Sequence, residues 1–209
     1  MDIFTVGRDW QAEIVEKKSR FIARSFFVQD EAEAVGRIDA VRAENPQASH
    51  NVYAYSLRGG GIRRCSDDGE PQGTAGMPVL KVIEFNALCD VCVVVTRYFG
   101  GILLGAGGLV RAYTRGAAEV IQQSGRARIV EAVSFRISCG YELSGPVGRA
   151  LSDFGAQVTD TSYTDRVEFS AVLQRDVFES FCGACADKFY SNVRITPVGS
   201  SYMRRLEAR

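Results

Sequence analysis

The segments WQAEIVEK and RFIARSFFV alternate apolar and polar residues on either side of a Lys-Lys-Ser connection, a pattern that predicts an antiparallel hairpin. A helix follows. Asp30 stands at its cap, Val35, Ile38 and Val41 recur at helical spacing, and Asn45-Pro46 closes it. NVYAYSL and IRRC then flank Gly59-Gly60-Gly61 as a second hairpin. The polar loop SDDGEPQGTAGMP leads into a short helix expected to start at Pro78, where a missing amide proton costs nothing. DVCVVVTRYF is β-branched and continuous, which predicts a central strand buried on both faces. Gly100 to Gly108 reads as the next loop, and LVRAYTRGAAEVIQQ as a helix closed by Gly125.

From about Ala132 the pattern restarts: strand AVSFRISCG, helix GPVGRALSDF, strands QVTDTSY and RVEFSAVL, helix VFESFCGACADKF and strand VRITPVG. That is β-α-β-β-α-β, a split βαβ or ferredoxin-like plan. The expected fold class is therefore α+β, as two sandwiches over residues 1–131 and 132–209 with no low-complexity linker between them.

Composition supports a soluble globular chain. With 46% hydrophobic and 24% charged residues over 209 positions, long disorder, collagen-like repeats and a coiled coil are excluded. The 25 basic residues balance 25 acidic ones, and the balance holds on both sides of Arg136, 16 with 16 before it and 9 with 9 from it onward. No basic module exists, so any nucleic-acid contact must use a local patch. The start of the chain has no apolar stretch of signal-peptide length, and runs such as Val91 to Val95 fall far short of a membrane helix. A cytoplasmic protein without membrane contact is expected, with its six cysteines read as thiols rather than disulfides.

Candidate chemistry gathers where eleven of the 21 glycines fall, between Gly59 and Gly108. Such a cluster marks positive φ angles or the close approach of a ligand, a partner or another backbone. Within it, Asp67, Asp68 and Glu70 stand beside Gly69, Gly73 and Gly76, either as a Mg²⁺ or basic-group site or as a solvated acidic turn. Arg97-Tyr98-Phe99 ends the buried strand and enters a glycine-rich loop and a helix, a common place for an anion. From Arg97 to Arg128 there are five arginines and one acid, with Arg111 and Arg115 on the following helix and Tyr98, Phe99 and Tyr113 nearby. These arginines either face a partner or pair with the acidic loop.

Nucleotide fingerprints fail letter by letter. Val110 stands where the dinucleotide turn wants its third glycine after Gly105 and Gly107, and the Walker spacing from Gly100 to Gly105 has Ala106 in place of lysine. His50 is the sole histidine, which excludes multi-histidine metal centres and leaves a catalytic or a hydrogen-bonded structural role open. Of the two CxxC pairs, Cys89 and Cys92 would point to opposite faces of a strand, whereas Cys182 and Cys185 share a helix face. The second pair lies too far along its helix for the dipole to activate a thiol, so both are expected to be small buried side chains.

The blocks KKSRFIA from Lys17, SHNVYAY from Ser49, SDDGEPQGTAGMPVL from Ser66 and VVVTRYFGGILLGAGGLVRAY from Val93 resemble the IMPACT (YigZ-like) family. The resemblance implies an N-terminal domain of the ribosomal protein S5 domain 2 type and, in bacterial members, a ferredoxin-like C-terminal domain. That pair of folds is similar to the fourth and fifth domains of elongation factor G. Eukaryotic relatives dampen a stress kinase by competing for its ribosome-associated activator. The resemblance carries over His50, Asp67, Asp68, Glu70, Gly73, Gly76, Arg97, Tyr98, Gly100, Gly101, Gly105, Gly107 and Gly108 as motif positions, with no catalytic role attached.

The expectation is a non-enzymatic, translation-linked regulator that binds RNA, the ribosome or a translation-associated protein, without DNA sequence specificity, cofactor or metal. Arg97, Arg111 and Arg115 would meet phosphates or acidic side chains, with Tyr98 or Phe99 stacking. The alternative is a phosphate- or nucleotide-dependent enzyme of the S5-like superfamily, with Mg²⁺ held by Asp67 or Asp68 and His50 as base. A plainer option is a protein-interaction module using an exposed sheet face of the second domain.

Overall fold

A computed structural model describes residues 3–58 and 61–206. The chain divides into two compact units, 1–128 with 206–209, and 129–205. Gly59 and Gly60 of the second hairpin lie outside the described residues.

The first unit begins with a short strand, β1 (Phe4–Val6), too brief to show a period in the sequence. The expected hairpin follows as β2 (Trp10–Glu16) and β3 (Ser19–Phe27), paired from Trp10 opposite Ser25 to Glu16 opposite Ser19. Its two-residue turn holds Lys17 and Lys18 at φ 45° and 67°, as a tight hairpin requires. Helix α1 (Glu31–Glu44) starts where Asp30 accepts the amide of Glu33 at 2.8 Å and stops at Asn45. Strands β4 (His50–Ser56) and β5 (Arg63–Ser66) form the second hairpin.

Helix α2 (Gly76–Phe85) starts two residues before Pro78. The amides of Ala75 and Gly76 are satisfied by the remote Asp67 carboxylate, a cap that local sequence cannot reveal. Strand β6 (Val91–Tyr98) is buried along nearly its whole length, between β3 and β4 in the order β2-β3-β6-β4-β5. Its alternate residues serve two cores. Val93 and Val95 pack with Val79, Ile83, Leu109 and Tyr113 of the α2 and α3 side, while Cys92 and Val94 pack with Ala34, Ile38 and Val41 of α1.

Helix α3 (Ala106–Ser124) starts earlier than the glycine pattern suggests, so Gly107 and Gly108 are helical. A Cβ on Gly108 would come 2.9 Å from that of Leu104, so the glycine answers a packing need. Gly125, at φ 72°, ends α3 and releases the chain directly into β7 (Arg126–Cys139), six residues before the expected Ala132. The first three residues of β7 pair with β1.

The second unit comprises the remainder of β7, α4 (Ser144–Asp153), β8 (Gln157–Tyr163), β9 (Val167–Gln174), α5 (Arg175–Phe189) and all but the last residue of β10 (Val193–Leu206). Its strand order β10-β7-β9-β8 with both helices inserted as expected is the ferredoxin-like arrangement. Phe135, Ile137, Leu151, Leu173 and Phe181 form its separate core.

Candidate functional site

The carboxyl end of β6 is where the motif residues converge. Antiparallel pairing places Arg97 opposite His50 on β4 and Phe21 on β3. The loop from Asp67 to Ala75 then folds over this strand end, and the carboxylates do the folding. One Asp67 oxygen accepts the amides of Ala75 and Gly76 at 3.0 and 2.8 Å, and the other accepts Gly73 at 2.7 Å. Burial pushes the Asp67 carboxyl up, yet these three backbone donors outweigh it and hold its pKa below the ordinary value. Asp68 accepts the Asn51 amide at 2.6 Å and Arg42 at 2.9 Å, while its carbonyl lies 2.8 Å from Nδ1 of His50.

Glu70 is carried inward by this loop, and three groups gather on its Oε1. Arg97 Nη1 donates at 2.6 Å, the Tyr113 hydroxyl donates at 2.8 Å, and His50 Nε2 lies 3.8 Å away. Arg97 is only 5% exposed; its Nη2 reaches Ser19 Oγ at 3.4 Å and its Nε has no hydrogen-bond partner. Tyr113 is sealed beneath, edge-on to Phe21 at 5.2 Å, and burial followed by the Glu70 charge drives its hydroxyl pKa far upward. The result is a buried ion pair with aromatic and hydroxyl support.

This geometry corrects one expectation. Arg97 is not a surface cation for phosphates, because its charge is spent on Glu70 inside the domain. Tyr98 is partly exposed, and its hydroxyl donates to Asn45 Oδ1 at 2.8 Å, which anchors the ring at the strand end. A Mg²⁺ site on Asp67 or Asp68 also lacks support, since both carboxylates already bind backbone or guanidinium donors. Among the described residues, no group of three or more His, Cys, Asp or Glu side chains could hold a metal ion.

The glycines divide by task. Gly100 lies so close to Lys18 that a Cβ would overlap that residue's backbone, and its amide donates to Ser19 Oγ at 3.2 Å. Gly101 and Gly105 turn the loop at φ 81° and 71°. Gly73, at φ 77°, and Gly76, whose Cβ would meet the Ser66 backbone at 2.7 Å, shape the acidic loop.

Around this packed centre the surface is cationic and apolar. Lys17 and Lys18 project from the β2-β3 turn, and Arg111 and Arg115 lie one turn apart on α3, with Arg115 4.0 Å from Glu16. Phe99, Ile102 and Leu103 are exposed in the glycine loop, Leu103 at 82%. Sequence reasoning did not single out Lys17 and Lys18, two adjacent like charges exposed at a hairpin tip. It also named Tyr113 only as an aromatic neighbour of the arginines, and only the fold shows its hydroxyl on Glu70. A pocket of 490 Å³ opens between His50, Glu70 and Arg97 on one side and Leu103, Leu104 and Ala106 on the other.

The cysteines stay structural in form. Cys89 precedes β6 rather than lying on it, and Cys92 is buried against α1, its thiol pushed up to about 12 by burial. Cys182 and Cys185 sit well inside α5, and burial raises both, Cys185 to about 11. No helix is long and apolar enough to cross a membrane among the described residues.

Comparison with known proteins places both units. The profile of the Impact N-terminal domain matches residues 17–121, and that of a domain of unknown function (DUF1949) matches residues 137–189. IMPACT family member YvyE of Bacillus subtilis is 38% identical over 182 residues, covering 85% of this chain and 82% of that protein. IMPACT family member YigZ of Escherichia coli is 32% identical over 174 residues, covering 82% and 85% respectively. A crystal structure of a hypothetical protein superposes with a TM-score of 0.60 at 28% identity, over 95% of this chain and 98% of that one.

Proposed function

The chain belongs to the IMPACT family, and from that premise we propose that it is a non-enzymatic, translation-linked regulator acting in the cytoplasm. It binds RNA, the ribosome or a translation-associated protein through the first domain, taken as residues 1–131, with residues 132–209 as a ferredoxin-like companion. The binding face is the cationic and apolar rim: Lys17, Lys18, Arg111 and Arg115 around Phe99 and Leu103. The observation that carries this reading is the split between inward and outward charge. Asp67 and Asp68 are engaged by donors within the domain and Glu70 is paired with Arg97, which leaves outward cations beside exposed apolar side chains to meet an acidic partner.

The motif residues His50, Gly73, Gly76, Gly100, Gly101, Gly105, Gly107 and Gly108 act in this reading by shaping the loops that hold the rim. A Mg²⁺-dependent enzyme is the weaker reading, because the carboxylates it needs already serve the loop.

Co-sedimentation with ribosomes and with free RNA, at low and moderate salt, tests the proposal. The informative variants spare Arg97. Lys17→Asn with Lys18→Gly removes two cations while giving the turn residues suited to positive φ, so lost binding cannot be blamed on a damaged hairpin. Arg111→Ala with Arg115→Ala removes the helical pair. Expected are salt-sensitive binding in the wild type and a shallower salt dependence in the variants, by roughly 0.7 to 0.9 in log-log slope for each phosphate that is no longer neutralised. Binding that ignores both salt and these substitutions defeats the reading.

A further inference from the structure

The outer faces of α2 and α3 form an apolar groove of about 940 Å³. Helical spacing sets its walls. Met77, Lys81 and Phe85 recur every fourth residue along α2, and Val110, Thr114, Ala118 and Gln122 do so along α3, so each set lies on one face of its helix. Pro78, Val82, Leu88 and Ile121 make a buried floor. The walls above it are uncovered, with Phe85 91% and Met77 44% exposed. Apolar side chains gathered in this way, rather than scattered singly, mark an interaction surface. The charge around them has one sign: Lys81 and Arg126 line the groove, and no carboxylate does. Lys81 is exposed, and the acid of α2, Glu84, lies against Arg63 at 3.4 Å. Arg126 is stacked on Phe4 at 3.8 Å, which fixes its charge at one end of the groove.

We propose that the groove between α2 and α3 receives an acidic amphipathic helix of a partner protein. Its apolar stripe would rest on Met77, Phe85, Val110 and Ile121, and its carboxylates would meet Lys81 and Arg126. The size fits, since Val110 to Gln122 spans roughly 18 Å at about 1.5 Å per residue, the length of about three helical turns. Small side chains at Thr114 and Ala118 let a third helix approach closely, while methionine and phenylalanine on the facing wall adapt to its shape. Two other occupants fit less well. An alkyl chain would lie in a trough whose Lys81, Phe85, Thr114 and Ala118 are all exposed, leaving one side of the chain in water, whereas a small-molecule site encloses most of its ligand. A second copy joined groove to groove would set cations against cations with no acid between them. None of Lys17, Lys18, Phe99, Leu103, Arg111 or Arg115 lines this groove, so it stands or falls independently of the rim.

The test is an amide-resolved NMR titration of the full chain with a synthetic helical peptide of about four turns, leucine at the i, i+3, i+4 and i+7 positions and glutamate on both flanks. A scrambled peptide of the same composition and a version with lysine for glutamate run beside it. Saturable shifts at Met77, Lys81, Phe85, Thr114 and Ala118 are expected with the glutamate peptide, and weaker binding by at least about tenfold with either control. Phe85→Ala should cost about tenfold in affinity, and Lys81→Glu should reverse the preference toward the lysine peptide. Both side chains are exposed, so the Tm of each variant should stay within about 2 °C of wild type, which separates lost binding from lost folding. Lys17→Asn with Lys18→Gly should bind the peptide as wild type does. Absence of saturable shifts at the groove, equal binding of the scrambled peptide, or an unchanged preference in Lys81→Glu overturns the proposal. So does saturation of the same amides by decanoate but not by the peptide, or a dimer that Phe85→Ala dissociates, since either gives the groove to another occupant.

Discussion

Glu70 and Arg97 are both buried and pair at 2.6 Å, so the charge of each is compensated by the other. Removing one partner leaves an uncompensated buried charge, so Arg97→Ala should lower unfolding free energy by about 3–5 kcal/mol, read by chemical denaturation. A fall of under about 1 kcal/mol would show instead that the pair behaves like an exposed one. Asp67 gives a pH signature. Its folded pKa lies below the unfolded value, so its contribution is complete above the ordinary carboxylate range and is lost as pH falls through the folded pKa. Asp67→Asn should cost about 1–3 kcal/mol near neutrality, and the gap from wild type should close in acid. Asp90 has the opposite sign, because burial raises its pKa, and protonating it on acidification relieves a cost. Comparing the variant with wild type at each pH cancels that second contribution. At this scale residue types were legible before the fold was, but their partners were not: the sequence places Asp67 in a turn, and only folding aims it at amides six, eight and nine residues on.

Elements are most legible where a period runs long. Both hairpins, the helix capped by Asp30 and the buried strand β6 follow from alternation, capping and β-branching. Boundaries slip at glycine. Gly107 and Gly108 look like loop residues, yet they begin α3 because the turn packs against Leu104. The same contrast gives a paired test. Gly100→Ala puts a Cβ into the backbone of Lys18 and should cost more than about 3 kcal/mol, shifting the β3-β6 end that holds Arg97. Gly36→Ala lies in α1 with open space around it and should stabilise by about 0.5–1 kcal/mol. Thermal melts of the two proteins decide it: similar Tm values would mean that the Gly100 backbone relaxes without cost.

At the scale of the whole molecule, six thiols and a balanced charge describe a chain that uses neither disulfides nor a global field. Cys92, Cys139 and Cys185 are buried, whereas Cys65, Cys89 and Cys182 are partly exposed, and burial raises the pKa of all six. A thiol reagent should therefore titrate at most three cysteines of the native protein, slowly, and all six in denaturant. A fast-reacting Cys182 would mark an activated thiol. Each unit also carries its own core, the first centred on Phe21 and Tyr113 and the second on Phe135 and Phe181.

The amino-acid order alone determined the α+β class, the βαββαβ plan of the second half, and the glycine cluster as the place where unusual backbone is needed, because periodicity and steric freedom are local properties. It also offered both fates for the arginines, exposed or paired with the acidic loop. Only the tertiary structure chose between them, sending Arg97 inward to Glu70 and leaving Arg111 exposed on α3. The choice turns on Tyr113 and His50 meeting Glu70 from a helix and a strand far apart in the chain, and no spacing within either segment encodes that meeting.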